Sequence, residues 1–252
     1  MSAPQLPAGI GMSRVNVYES AGPDGLRGGT PHMHLICTEM YVGLSGQGTA
    51  EFIDSSGYHR YSLGPGDAFV FTPGTVHRLV SDDALTVLVV MENDWLAELG
   101  DAVFPFAASG DDKDYATLAC AGTEMSVRQR RDAAVLGFNQ LADSWRQGDT
   151  DTARHQLRAF YTEAARRQHA QGTHWAATVA QGTMAVALDA LHARAAAVDE
   201  ADPKLLRPGR VTPLPPSPTP PAIPGMCGMR RPYLNTPLHD RLLGQSSASE
   251  PI

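Results

Sequence analysis

Cysteine is scarce in this chain. Cys37, Cys120 and Cys227 are the three among 252 residues, too few and too scattered for a disulfide framework or a cysteine metal site. That usage suits a reducing compartment, and the cytoplasm is the expected location. No stretch approaches the roughly 20 consecutive apolar residues of a membrane span. Met1 to Gly11 has neither a basic segment nor an apolar core, so no secretory signal is read there. Positive charge is also short. Against 27 Asp+Glu stand 20 Lys+Arg, a net charge of -7, which argues against a general nucleic-acid binder. Apolar residues make up 42% of the chain, enough for a packed core rather than whole-chain disorder.

Charge and texture divide the chain in three. Residues 1–107 carry 12 acids and 4 bases, 108–200 carry 12 and 10, and 201–252 carry 3 and 6. The first part is rich in Gly, Val and Phe, the second in Ala, Arg and Gln. The third holds eight prolines between Pro208 and Pro224. Proline at that density makes neither helix nor central strand and favours extended polyproline II. Residues 201–252 are therefore expected to form a Pro-rich, disordered, solvated tail.

Residues 1–107 read as an all-β domain. Short apolar runs alternate with turn residues: Arg14–Tyr18, Leu35–Leu44, Thr49–Ile53, Tyr58–Leu63, Ala68–Thr72, His77–Val80 and Leu85–Met91. Strands this short, with no helical segments between them, suggest a sandwich or small barrel. Tyr41, Tyr61, Phe69 and Phe71 are core or pocket positions, with core favoured. Trp95 follows the last strand and is read as a staple to the helical region. Residues 108–200 read as three helices, Ser126–Gln147, Asp151–Gln171 and Thr173–Val198, with stop-and-start points at Gly148-Asp149 and Gly172-Thr173. Arg128, Arg130, Arg131, Arg166 and Arg167 are expected on a solvated helix face. The helices could pack on each other, cover the β-domain, or pair with a second copy in a homodimer.

The chemistry concentrates around His32-Met33-His34. In an extended strand, residues two apart share a face, so the two imidazoles stand side by side and can hold one metal ion. Glu39 has an odd offset from His34. A regular strand would point it the other way, and only a bulge or turn at Leu35–Thr38 brings it back. Further on, Gly66-Asp67 opens a strand, and Thr72-Pro-Gly-Thr-Val-His77 ends on a histidine after a tight turn. Barrel closure would bring that strand alongside the first.

These residues resemble a known family. His32-Met-His-Leu-Ile-Cys-Thr-Glu39, followed by six residues and Gly46, is similar to the first motif of the cupins. Gly66-Asp-Ala-Phe-Val-Phe-Thr-Pro-Gly-Thr-Val-His77 is similar to their second. Thr72, Ser81 and Leu26 stand where that pattern carries Pro, Asn and Gly, and none of these is a ligand position. The resemblance spans about residues 13–105. It implies a mainly β chain: a double-stranded β-helix (jelly-roll) barrel with one mononuclear metal site, here followed by the α-helical region and the Pro-rich tail. Residue by residue, it implies His32, His34, Glu39 and His77 as ligands of a divalent metal: Fe, Mn, Zn, Ni or Co.

A shared fold does not fix a reaction, so three functions stand beside one another. One is an enzyme that uses the metal as a Lewis acid on a small polar hydroxy-carbonyl or sugar-like substrate, of isomerase, epimerase or lyase type. The second is an iron-dependent dioxygenase. The third is a non-enzymatic small-molecule sensor or binding protein. In each the partner is a small molecule, with no nucleic acid and no membrane.

Overall fold

The computed structural model describes residues 6–92, 96–97, 100–107, 111–120, 124–201, 211–212, 214 and 222–233. Trp95 and most of the Pro-rich segment lie outside the described residues. The strands are β1 (Gly11–Val17), β2 (Met33–His34), β3 (Glu39–Asp54), β4 (Gly57–Leu63), β5 (Ala68–Phe71), β6 (Val76–Met91), β7 (Ala102–Val103), β8 (Ile223–Pro224) and β9 (Gly228–Pro232). Seven form one large antiparallel sheet in the order β4-β3-β6-β1-β9-β8, with β5 also on β3, while β2 pairs β7.

Two long strands organise this sheet. The short runs expected at Thr49–Ile53 and His77–Val80 are the halves of two 16-residue strands, β3 and β6. The first half of β3 pairs β5 and the end of β6; its second half pairs β4 and the start of β6. Register shifts between Gly43 and Gly48 bend the pair where it passes from one half to the other. Gly46 sits at that bend with φ of 74°, and a Cβ there would lie 2.2 Å from the Asp83 carbonyl oxygen. Only glycine fits.

Alternation then fills the interior. Val15, Val17, Tyr41, Ala50, Leu63, Leu79, Leu85 and Val87 are buried in one apolar cluster, the expected result of period-2 strands with one covered face. Tyr41 and Phe71 join that core, and Phe69 packs at its margin. Tyr61 does not: it is exposed on β4, stacked between Phe69 and His59.

The helices are α1 (Asp112–Ala119), α2 (Glu124–Arg146), α3 (Thr150–Gln168), α4 (Gly172–Ala180) and α5 (Thr183–Asp199). Gly148 and Asp149 stop and start helices as expected. Gly148 has φ of 78°, and the Asp149 side chain caps α3 by accepting from the Thr152 N–H. The third expected helix is two. Gly182, read through in the sequence, caps α5 at its N-terminus after α4 has ended at Ala180, because glycine is a weak helix former.

Helix α2 lies against the outer face of the sheet. Phe138, Leu141 and Ala142 share a buried cluster with Met33, Ile53, Val76 and Val103. The expected solvated arginine face holds for Arg128 and Arg166, which are exposed, and is corrected for the other three. Arg130 and Arg131 are buried, Arg131 donating to the Ser20 and Ala21 carbonyls and Arg130 lying 5.1 Å from the Phe104 ring centre. The side chain of Arg167 is also covered, over Tyr115. These guanidiniums hold helices to the domain instead of facing solvent.

The expectation of a disordered tail over 201–252 is corrected for residues 222–233. Ile223–Pro224 and Gly228–Pro232 form a hairpin whose second strand pairs with β1. Composition hid this because five residues, Gly-Met-Arg-Arg-Pro, follow a proline-dense stretch. No described helix is long and apolar enough to cross a membrane.

Phe138 is fully buried where α2 meets the sheet. Phe138→Ala should lower unfolding free energy by roughly 3–5 kcal/mol, read from the denaturant midpoint. A loss below about 1 kcal/mol would mean that α2 does not dock as described.

Candidate metal centre

Three separate pieces of chain bring the four expected side chains together. His32 sits in an extended bridge beside His77, each backbone N–H bonding the other's carbonyl at 3.1 and 2.8 Å. His34 belongs to β2, opposite Ala102. Met33, between them, points the other way into the helix-covered cluster, so the two imidazoles share the interior face. Glu39 begins β3, and His77 is the second residue of β6.

The bend that turns Glu39 inward is held by one carboxylate. Asp101 Oδ1 accepts the backbone N–H groups of Leu35 and Ile36 at 3.0 and 2.7 Å, and its other oxygen accepts from His34 Nδ1 at 2.7 Å. The chain kinks at Leu35-Ile36, and the odd offset between His34 and Glu39 is cancelled. Asp101 lies 67 positions from His34 and carried no local signal in the sequence.

All four side chains are buried. One ligating atom from each lies within 4.8 Å of the others. His34 Nε2 and Glu39 Oε2 are 3.1 Å apart, His77 Nε2 and Glu39 Oε2 3.3 Å, and the Nε2 atoms of His77 and His32 3.1 Å. Metal–donor bonds of about 2.0–2.2 Å place neighbouring donors roughly 3.0–3.4 Å apart, so the spacing suits one ion. The opposite edge of each ring agrees. His32 Nδ1 faces the Thr30 carbonyl at 2.8 Å, His77 Nδ1 faces the Thr75 carbonyl at 2.9 Å, and His34 Nδ1 faces Asp101. An Nδ1 that donates leaves the Nε2 lone pair of a neutral ring turned inward. His34 Nε2 and Glu39 Oε2 are also buried with no hydrogen bond of good geometry. Such orphans call for a partner, and a cation supplies one.

Electrostatics point the same way. Burial, followed by the adjacent His77 and His34, holds His32 well below the usual imidazole range. Burial would also lower His34, but Asp101 and Glu39 outweigh it and push His34 up to about 10. Glu39 is held far below the usual carboxylate range, its desolvation overcome by His34 and His77. A cation bound there would compete with the proton that these neighbours hold on His34. Cys37, between the expected ligands in sequence, is buried, and desolvation followed by Asp101 pushes its thiol up.

Beside the quartet is a cavity of about 40 Å³. Ser13, Val15, Cys227 and Arg230 contribute to its wall. The last two come from the segment expected to be a loose tail, and nothing in the sequence linked them to the site. Tyr41 lies beneath, its hydroxyl 3.2 Å from Cys227 Sγ and its ring centre 6.0 Å from that of His77.

Residues 22–91 match the family model described as the cupin domain. The chain contains a cupin domain. All four side chains of the quartet fall within that match. Solved structures similar to part of the chain include a proposed sugar phosphate isomerase from Acidithiobacillus ferrooxidans (24% identity, 32% of this chain and 49% of that one, TM-score 0.27). A cupin protein from Bacteroides fragilis is 18% identical over 32% of this chain and 62% of its own, with a TM-score of 0.25. An oxalate oxidase is 21% identical over 33% and 40%, with a TM-score of 0.27. The chain thus spans between two-fifths and three-fifths of those chains, and overlaps this short assign it no activity. No curated protein matches it.

The raised His34 makes a pH prediction for metal-free protein. Its folded value of about 10 exceeds the ordinary 6.5, so its stabilisation is complete below about 6.5 and is lost as pH rises toward 10. Denaturation midpoints taken in chelator from about pH 6 to about pH 10 should fall more steeply for the wild type than for His34→Gln. Parallel curves would contradict the His34–Asp101–Glu39 arrangement.

Proposed function

We propose that His32, His34, Glu39 and His77 hold one divalent metal ion, and that the protein is an enzyme acting on a small polar hydroxy-carbonyl or sugar-like molecule. The observation that carries this is the convergence of three imidazole Nε2 atoms and one carboxylate oxygen, two of these atoms without a hydrogen-bond partner, on a single buried point. Three neutral imidazoles and one carboxylate suit Fe, Mn, Zn, Ni or Co. When bound, such an ion polarises a carbonyl and stabilises negative charge on its oxygen.

The chain's own residues fix the rest. Asp101 and the Thr30 and Thr75 carbonyls orient the three rings and set their tautomers. The apolar walls from Val15, Val89 and Met91 keep water out and strengthen electrostatic contacts inside.

Two measurements test this reading. Asp101→Asn keeps the shape at that position but removes the charge that orients His34, and should weaken metal affinity by roughly 10–100-fold in a competitive chelator titration. Unchanged affinity would detach Asp101 from the site. Zinc-loaded protein kept free of oxygen in deuterium oxide should exchange the hydrogen on the carbon beside a substrate carbonyl, as seen by NMR across a panel of hydroxy-aldehydes and hydroxy-ketones. Turnover that needs both iron and oxygen would instead establish the dioxygenase.

A further inference from the structure

The cavity beside the quartet is too small for the substrate just proposed. Its volume is about 40 Å³, whereas small-molecule pockets run roughly 300–1,000 Å³. One side of its wall is Gly225, Met226, Cys227, Gly228 and Arg230. These residues form the turn and second strand of the C-terminal hairpin, and Met226 and Arg230 are themselves partly exposed. A single layer of chain therefore separates the cavity from solvent on this side.

That layer is attached as an edge. The β9 strand pairs β1 over five positions, Ser13↔Pro232 to Val17↔Gly228, and its other neighbour is the two-residue β8 at the end of the sheet. Further bonds to the rest of the domain include Thr30 N–H to the Met226 carbonyl at 2.8 Å, Tyr233 N–H to the Met12 carbonyl at 2.9 Å, the Tyr18 hydroxyl to the Gly225 carbonyl at 3.0 Å, and the Tyr41–Cys227 contact. Within the pairing, Arg14 stands directly opposite Arg231. No β1–β7 strand interrupts its own pairing if β9 leaves, because β1 keeps β6 on its other side.

We propose that the hairpin Ile223–Pro232 is a lid: it closes the quartet's cavity by adding a strand to β1, and must leave β1 before anything larger than a few water molecules can reach the four side chains. The proposal rests on the metal reading for one of its two readouts and is independent of it for the other.

The test is a reversible lock. In R14C/R231C the two new thiols face each other across directly paired positions of adjacent antiparallel strands, a spacing a disulfide can bridge. The zinc-loaded double variant is exposed to excess EDTA and, separately, to iodoacetamide, with alkylation of Cys227 read by peptide mass spectrometry. The oxidised lock should slow both zinc loss and Cys227 alkylation by about tenfold or more, and a reductant should restore both rates. G228V should do the opposite, since even a Cβ at Gly228 would lie 2.1 Å from the Asn16 carbonyl oxygen. If oxidised and reduced proteins alkylate Cys227 equally fast, the hairpin is a fixed wall and the lid is refuted. If the wild type takes up no zinc, the metal reading fails, and alkylation alone still decides the lid.

Discussion

One buried carboxylate sets the geometry on which the centre depends. Asp101 holds the chain bend at Leu35-Ile36 with one oxygen and the His34 ring with the other. The first contact puts Glu39 on the same face as His32 and His34, which strand alternation alone forbids. The second chooses which ring nitrogen of His34 looks inward. A charged acceptor suits both tasks, because hydrogen bonds to an ionised oxygen are about twice as strong as neutral ones. His34 and the Ile36 N–H in turn keep Asp101 below the usual carboxylate range although it is fully buried.

The segment bearing His32 and His34 has two faces with different duties. Its histidines look into the domain, while Met33 looks out and is sealed by α2 and α3. The helices thus back the ligand segment from outside. Gly137 on α2 lets the helix approach the chain after β7, where a Cβ would lie 1.4 Å from the Pro105 carbonyl oxygen. Behind the centre, Arg78 ties the sheet to Asp24 and to the buried Glu51, with its guanidinium 5.0 Å from the Phe138 ring centre. The helical region and the interior of the cupin domain are therefore mechanically coupled through packed side chains, not joined by a linker alone.

Short-range rules were enough to read much of this from sequence. Period-2 alternation placed His32 and His34 on one face, and the odd offset of Glu39 demanded the bend that the structure contains. Turn residues located most strand ends, and Gly148-Asp149 marked a helix junction. Failures occurred where a partner lies far along the chain. The sequence around Asp101 says nothing of His34, since hydrogen bonds across 67 positions leave no local pattern. Arg130 and Arg131 looked like surface charge because their carbonyl and aromatic partners come from other elements. The C-terminal hairpin was obscured by neighbouring prolines, and its pairing to β1 is visible only once the edge of the sheet is known. Backbone acceptors such as Thr30 and Thr75 carry no side-chain signature at all.

The central claim is that four side chains share one cation, and metal content tests it most directly. Elemental analysis of freshly purified protein, wild type beside His34→Ala, measures the divalent metal per chain, with circular dichroism confirming that both are folded. The account predicts close to one metal per wild-type chain and far less in the variant. Equal metal in the two folded proteins would contradict it.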